Sequence, residues 1–538
     1  MSNLFSKIFN NQSKTITGAA LIIAGATFIS RLVGLLRDRI FAHYYGAGEM
    51  MDAYYAAFKI PDLVYNLLIL GALSAGFIPV FTKIFDKNKR QGWQMANNVI
   101  NVAGLTLIVV CGLGMIFAPQ LSPLIAPGFE TNGLELTGRL ARIMFLSPLF
   151  LGLSMIFGGI LQSLRQFLIY SLAPIFYNLG IIFGAAVLVR WIGPTGLAWG
   201  VVLGALMHLI LQKIGAYCSG WRWQRTFDFK DQDLRIIGKL MIPRTLGLAT
   251  SQLNILVLTM LASLLPAGSV AVYNYANNLQ GVAVGIIGIP FALSVFPVLS
   301  KYAGRGRKDK FVENLSATIR KILFLIIPAS ILIMLLRAQI VRVVLGTGQF
   351  DWAATIATAD ALAFFALSLF AQSLIPLLAR GFYSLENTKT PFVIALVSEI
   401  ITIIFAFMLY RPMGVAGLAL AVSAGAVINM LSLGFSLRKT LGFIDGEKIL
   451  KALYKISIAG ILMGITIQFL KYPLAKVFDQ DYFWGIFGQG FLAGMGGLVI
   501  YAVICYILRL EEYVDLQDSL KKKFLNIKNL PTEIDTKQ

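Results

Sequence analysis

Long apolar runs alternate with short polar breaks along almost the whole chain. About 20 consecutive apolar residues are needed for one α-helix to cross the hydrocarbon layer. Fourteen runs reach that scale: 18–42, 52–82, 97–117, 139–163, 168–190, 195–217, 236–265, 270–300, 319–345, 354–383, 390–410, 413–436, 452–470 and 484–508. The pattern predicts an all-α polytopic membrane protein with about fourteen transmembrane helices. Several runs are interrupted, as at Pro61 and Gly71 or at Gly288 and Pro290. Broken helices are tolerated at membrane depth where they line a cavity. The first run continues past any signal-peptide core into an arginine-bearing stretch without a small-residue cleavage site, so it reads as a retained span.

A second period runs at half the chain. GALSAGFIPVFTK (Gly71–Lys83) returns as IPFALSVFPVLSK (Ile289–Lys301), 218 residues later. Arg31-x-x-Gly34 matches Arg244-x-x-Gly247, and Pro127-Gly128 matches Thr347-Gly348. GPTGLAWG (Gly193–Gly200) matches PMGVAGLAL (Pro412–Leu420). The expected organisation is a six-helix bundle over 1–220, a cytoplasmic linker over 221–235 and a second six-helix bundle over 236–440. Two extra transmembrane helices over 450–508 and a cytoplasmic tail over 509–538 complete it. With an even number of spans in each repeat, both run in the same orientation and are related by an axis along the membrane normal. Repeated hydrophobic halves point to a transporter, with its binding site between them near the bilayer midplane.

Charge orients the chain. Only 13% of residues are charged and 57% are hydrophobic, whereas a soluble domain carries about 25% charged residues. Lys and Arg gather in alternate loops, as at Lys83–Arg90, Arg222–Lys239, Arg305–Lys310 and Arg438–Lys455, and again at Lys521–Lys523. The intervening Leu265–Ser269 and Gly346–Trp352 have none. By the positive-inside rule both termini face the cytoplasm. The net charge of +20 is therefore a topology signal with added attraction to anionic lipid. No soluble domain exists to bind nucleic acid.

Candidate chemistry narrows the picture by elimination. There is no G-x-x-x-x-G-K-[ST] loop, so direct ATP drive within the chain is not expected. His43 and His208 are far apart, and Cys111, Cys218 and Cys505 show no metal or disulfide spacing and read as small core residues. No catalytic residue, metal or cofactor is expected, and the chain does not read as an enzyme. What remains is charge inside apolar runs, where Arg or Asp costs about 2.5–3.5 kcal/mol at a helix centre. The first run carries Ser30, Arg31, Gly34, Arg37 and Asp38; the second carries Asp52, Lys59, Pro61 and Asp62. Arg244 is the repeat-mate of Arg31, and Glu399 sits alone in the eleventh run. Such groups either pair to fix helix packing or face a cavity. Arginine forks match phosphate oxygens bidentately, so a cavity lined by Arg31, Arg37, Lys59 and Arg244 suits a phosphate-bearing anion.

These residues also carry a resemblance. SRLVGLLRDRIFAHYYGAG (Ser30–Gly48), MDAYYAAFKIPDL (Met51–Leu63), GALSAGFIPVF (Gly71–Phe81), IAPGFE (Ile125–Glu130), LARIMF (Leu140–Phe145) and ARGFYSLENTKTP (Ala379–Pro391) resemble the MurJ/MviN family of lipid II flippases. The resemblance implies the MOP exporter fold: two six-helix bundles around a central cavity, plus two C-terminal helices that form a groove for a lipid tail. It implies a polyprenyl-pyrophosphate-linked peptidoglycan precursor, lipid II, as cargo. Alternating access would move it from the inner to the outer leaflet of the bacterial cytoplasmic membrane, with membrane lipids and other cell-wall synthesis proteins as partners. Arg31, Arg37, Asp52 and Lys59 match family positions facing the cavity. Tyr65-Asn66 and Asn277-Asn278 stand where proteobacterial members carry basic residues, which leaves open a related exporter of another polyprenyl-pyrophosphate-linked oligosaccharide.

Overall fold

The structure, a computed structural model, describes residues 16–70 and 76–518. Residues 1–15, Gly71–Ala75 of the echoed segment and the Lys521–Lys523 tail lie outside the described residues. The described chain is helical. The helices are α1 (Ile16–Tyr45), α2 (Glu49–Tyr65), α3 (Ile78–Lys87), α4 (Lys89–Ile125), α5 (Thr131–Met144), α6 (Leu146–Ser163), α7 (Phe167–Phe183), α8 (Val189–Ile192), α9 (Thr195–Cys218) and α10 (Gln232–Ser263). They continue with α11 (Ser269–Ile286), α12 (Gly288–Gly304), α13 (Lys308–Leu335), α14 (Arg337–Val344), α15 (Trp352–Ala366), α16 (Leu369–Ser384), α17 (Lys389–Leu441), α18 (Gly446–Val477) and α19 (Phe483–Ile507).

Among the described residues nine helices are long and apolar enough to cross a membrane, or ten if the bent pair α15–α16 is one span. The expected count of fourteen is therefore not established. Physical reasons are visible in the helices that fall short. α1 carries Arg31, Arg37, Asp38 and Arg39, and α2 contains Pro61 and gives way to a π-helical turn, Asn66–Leu70. The eleventh and twelfth runs form one element, α17, whose 53 residues turn at Gly414, where φ is 59°. Beyond the third apolar run the chain stays mostly helical to Gly138, because α4 accommodates Pro119 and Pro123 and continues to Ile125, and α5 begins at Thr131.

The chain divides into two compact units. The first comprises Met1–Leu279, Val344–Ala361 and Ala395–Val422; the second comprises Gln280–Val343, Leu362–Ile394 and Ser423–Gln538. In the first, α7 and the π-helical turn that follows it, Gly184–Leu188, pack on α9 through glycines spaced four apart. A Cβ at Gly180 would lie 2.3 Å from the Gly204 Cα, and one at Gly184 would lie 2.3 Å from the Gly200 Cα. Small residues at that spacing let two backbones touch, which supplies packing in a solvent where apolar burial drives nothing. In the second unit Leu299, Ile322, Phe382, Leu437, Ile456 and Met463 belong to one buried apolar cluster. Arg320 joins Glu511 at 2.7 Å and Glu512 at 2.9 Å, tying the start of the tail to α13.

Candidate functional site

The charged residues of α1 divide by environment. Asp38 is 3% exposed and fully engaged: Arg37 donates to its Oδ1 from Nε at 3.0 Å and from Nη2 at 2.8 Å. Asn278 of α11 donates to the Asp38 Oδ2 at 3.0 Å. Arg37 also donates from Nη1 to Asn178 Oδ1 on α7 at 3.2 Å, and its guanidinium lies 5.8 Å from the Phe41 ring centroid. All three guanidinium nitrogens of Arg37 thus donate to protein in this conformation. Arg31 is different. It is exposed, with no described side-chain partner, and a Cβ at neighbouring Gly34 would meet no atom within 4 Å. Ser30 is half-buried beside it.

Asp52 and Lys59 of α2 both reach α11. The Asp52 carboxylate, 3% exposed, accepts from the Gly268 N–H at 2.6 Å and the Ala271 N–H at 2.7 Å. It thereby caps a helix 216 residues away in sequence, satisfying donors that a helix N-terminus leaves orphaned. Lys59 Nζ donates to Asn274 Oδ1 at 3.0 Å, and the Asn274 amide in turn donates to the Val270 carbonyl at 2.7 Å. Pro61 lies buried two residues beyond Lys59, where its missing N–H removes one bond of the α-helical ladder ahead of the π-helical turn. Glu399, on α17, accepts a hydrogen bond from the Asn254 amide of α10. Arg244 lies on α10, and its side chain falls outside the described residues.

Asn178 and Asn274 were not singled out from the sequence, and Asn278 only as standing where some relatives carry a basic residue, yet the three are the partners of Arg37, Lys59 and Asp38. The signal for two of them was the run Tyr273–Asn278 (YNYANN) in an otherwise apolar stretch. Asn274 and Asn278 are four apart and share a helix face. Asn278 also answers the apparent loss of a basic residue: with Arg37 already neutralising Asp38, a neutral amide donor completes the carboxylate.

At the end where α1 stops and α11 begins, the loops interlock. Gln349 N–H donates to the His43 carbonyl at 3.0 Å, and His43 Nδ1 lies 2.9 Å from Thr347 Oγ1. A Cβ on Gly348, whose φ is +60°, would come within 2.1 Å of the His43 carbonyl oxygen. The Gly128 loop makes a similar contact: Gly128 N–H donates to Ser263 Oγ at 3.3 Å, and a Cβ there would lie 2.2 Å from the Ser263 carbonyl oxygen. Glycine is required at both loops because no side chain fits. The two contacts are reciprocal. The Gly348 loop closes on the end of α1, and the Gly128 loop closes on the end of α10.

Comparison with known proteins decides the family. The family model for lipid II flippase MurJ matches residues 41–487. A probable lipid II flippase MurJ of Bdellovibrio bacteriovorus is 30% identical over 508 residues, covering 93% of this chain and 96% of that protein. The chain belongs to the MurJ family. The lipid II flippase MurJ of Burkholderia cenocepacia is 28% identical over 432 residues, 78% of this chain and 83% of its own. A solved lipid II flippase MurJ in an inward closed conformation superposes with a TM-score of 0.77 at 25% identity, covering 92% of this chain and 99% of that one. An inward-facing multidrug transporter of the MOP superfamily, 16% identical, covers 79% and 98% at a TM-score of 0.65 and shares the fold alone. The MurJ family is one of transporters, and this member is a multi-pass membrane protein with the MOP fold.

Proposed function

We propose that this protein translocates lipid II from the inner to the outer leaflet of the bacterial cytoplasmic membrane by alternating access. Family membership over nearly the whole length supports the cargo. The single structural observation that carries the mechanism is the contrast between the interlocked loops at one end of the first unit and the unpaired, exposed Arg31 further down α1. With both termini cytoplasmic, as the basic loops suggest, the interlocked end faces outward and is shut. Arg31 then meets the pyrophosphate from the cytoplasmic side, and Lys59 exchanges Asn274 for a headgroup oxygen. The halves 1–220 and 236–440 rock about the membrane midplane, and Arg244 serves the second half as Arg31 serves the first. Arg37 and Asp52 act indirectly, by holding α1 and α11 in place. Outward movement of each negative charge down an inside-negative potential is favoured by about 2.3 kcal/mol per 100 mV, which biases export without ATP.

The test is rescue of a bacterium depleted of its own flippase, with the leaflet location of lipid II as readout. Growth with lipid II appearing in the outer leaflet is expected. Normal accumulation of the protein in the membrane with lipid II still confined to the inner leaflet would overturn the cargo assignment.

A further inference from the structure

The segment joining α9 to α10 is not a slack linker. It is fastened along α4 by three buried asparagines, Asn97, Asn98 and Asn101. Asn97 donates to the Arg222 carbonyl at 3.0 Å and accepts from the Gln224 N–H at 3.2 Å. Asn101 donates to the carbonyls of Gln224 at 2.9 Å and Thr226 at 2.8 Å, and accepts from Trp223 Nε1 at 3.2 Å. Asn98 donates to the Asp228 carbonyl at 2.9 Å and to Asp231 Oδ2 at 3.1 Å, and accepts from the Asp228 N–H at 2.8 Å. The other Asp231 oxygen caps α10 through the Asp233 N–H at 2.7 Å. Trp221 anchors the start, 3% exposed and edge-on to Phe157 at 4.8 Å between centroids.

Pinning the backbone this way turns the side chains out. Trp223 is 62% exposed, Phe227 51% and Phe229 59%. Arg225 and Lys230 are exposed between and beside them and have no described ion pair. Asp228 is occupied locally, its carboxylate accepting from the Lys230 N–H at 2.8 Å. The alternation continues into α10, where exposed Ile236 and Leu240 are each preceded by an exposed basic residue, Arg235 and Lys239.

Depth identifies the occupant. Asn97–Asn101 lie about 12–18 Å along α4 from its start at Lys89, counting about 1.5 Å per residue. The segment therefore runs beside a membrane-crossing helix, not beyond its end. Aromatic rings interleaved with lysine and arginine at that level are what the headgroup layer accepts, the rings at the apolar boundary and the cations on phosphate. We propose that Trp223–Lys230 is an interfacial belt that binds anionic phospholipid of the surrounding leaflet. Binding at the belt does not depend on the identity of the cargo.

The test uses the full-length protein in vesicles of phosphatidylcholine alone or mixed with phosphatidylglycerol. A nitroxide placed at Phe229→Cys, in a Cys218→Ser background, reports access to oxygen and to a water-soluble nickel complex. Oxygen access should dominate in the mixed vesicles. R225E/K230E should weaken phosphatidylglycerol retention at least roughly 30-fold and shift the label toward nickel, with thermal unfolding in detergent unchanged. Excess inorganic phosphate should leave both readings unaltered. A label that meets nickel freely in both compositions would overturn the belt, as would R225E/K230E protein that retains phosphatidylglycerol fully. Loss of the lipid effect on adding inorganic phosphate would instead mark an unspecific anion site and equally sink the proposal.

Discussion

The two compact units solve the problem of a membrane interior differently. The first puts charge there: Arg37–Asp38 with Asn178 and Asn278, Asp52 on the end of α11, Lys59 on Asn274. The second, among its described residues, packs its interior with apolar side chains and neutral donors. Ser423 donates to the Phe364 carbonyl at 2.7 Å and pairs with Ser368 at 2.8 Å, while Gln372 donates to Gln280 at 3.0 Å. Its ion pairs Arg320–Glu511, Arg320–Glu512 and Lys321–Asp515 lie where α13 meets the start of the tail. A buried charge is costly unless its partners are complete. The first unit gives Asp38, Asp52 and Lys59 their partners, while exposed Arg31 has no described side-chain partner. Under the proposed function, the first unit is the one that offers cations to the cargo, and the apolar second unit is expected to act mainly as a frame.

The comparison can be broken at either end. Ile322→Ala opens a cavity in the apolar cluster of the second unit and should lower stability by about 2–5 kcal/mol, read as a fall in Tm in detergent, with transport per folded molecule unchanged. A loss of transport without a change in Tm would show that the second unit is more than a frame. Asp52→Ala orphans two buried N–H groups and should destabilise the protein by about 2–4 kcal/mol, whereas Asp52→Asn keeps an acceptor and should recover roughly half of that. Equal, full stability in both variants would remove the capping role.

Arg31→Ala should behave in the opposite way to Ile322→Ala. Its Tm stays near that of the parent, but cargo binding weakens roughly 10- to 100-fold, since a hydrogen bond to a charged group contributes about 1.5–3 kcal/mol. Rescue of a flippase-depleted strain at matched expression checks this, and full growth would exclude Arg31 from the path. Ser423→Ala, in the second unit, removes only neutral hydrogen bonds. The expected cost is about 0.5–1.5 kcal/mol, visible by denaturant or thermal unfolding and silent in rescue. A defect as large as that of Arg31→Ala would erase the distinction between the units.

Much of this was legible in the residues alone. Apolar run lengths are a local property imposed by bilayer thickness, so the class of the fold and the positions of most helices follow from them. The half-chain echoes and the family motifs are local too, and charge in an apolar run is conspicuous because lipid makes it costly. The partners of those charges were not legible. Asp38 lies 240 residues from Asn278, and Lys59 lies 215 residues from Asn274; nothing in spacing says which of many asparagines will answer. Asp52 matched a family position facing the cavity, but no motif showed that its carboxylate also accepts from the Gly268 and Ala271 N–H groups at the start of α11. The linker looked like a basic tether, yet Asn97, Asn98 and Asn101 fasten it to α4. Hydrophobic period depends only on the solvent that each residue meets. Hydrogen-bond partnership depends on which helices pack side by side, and that is decided by the whole chain at once.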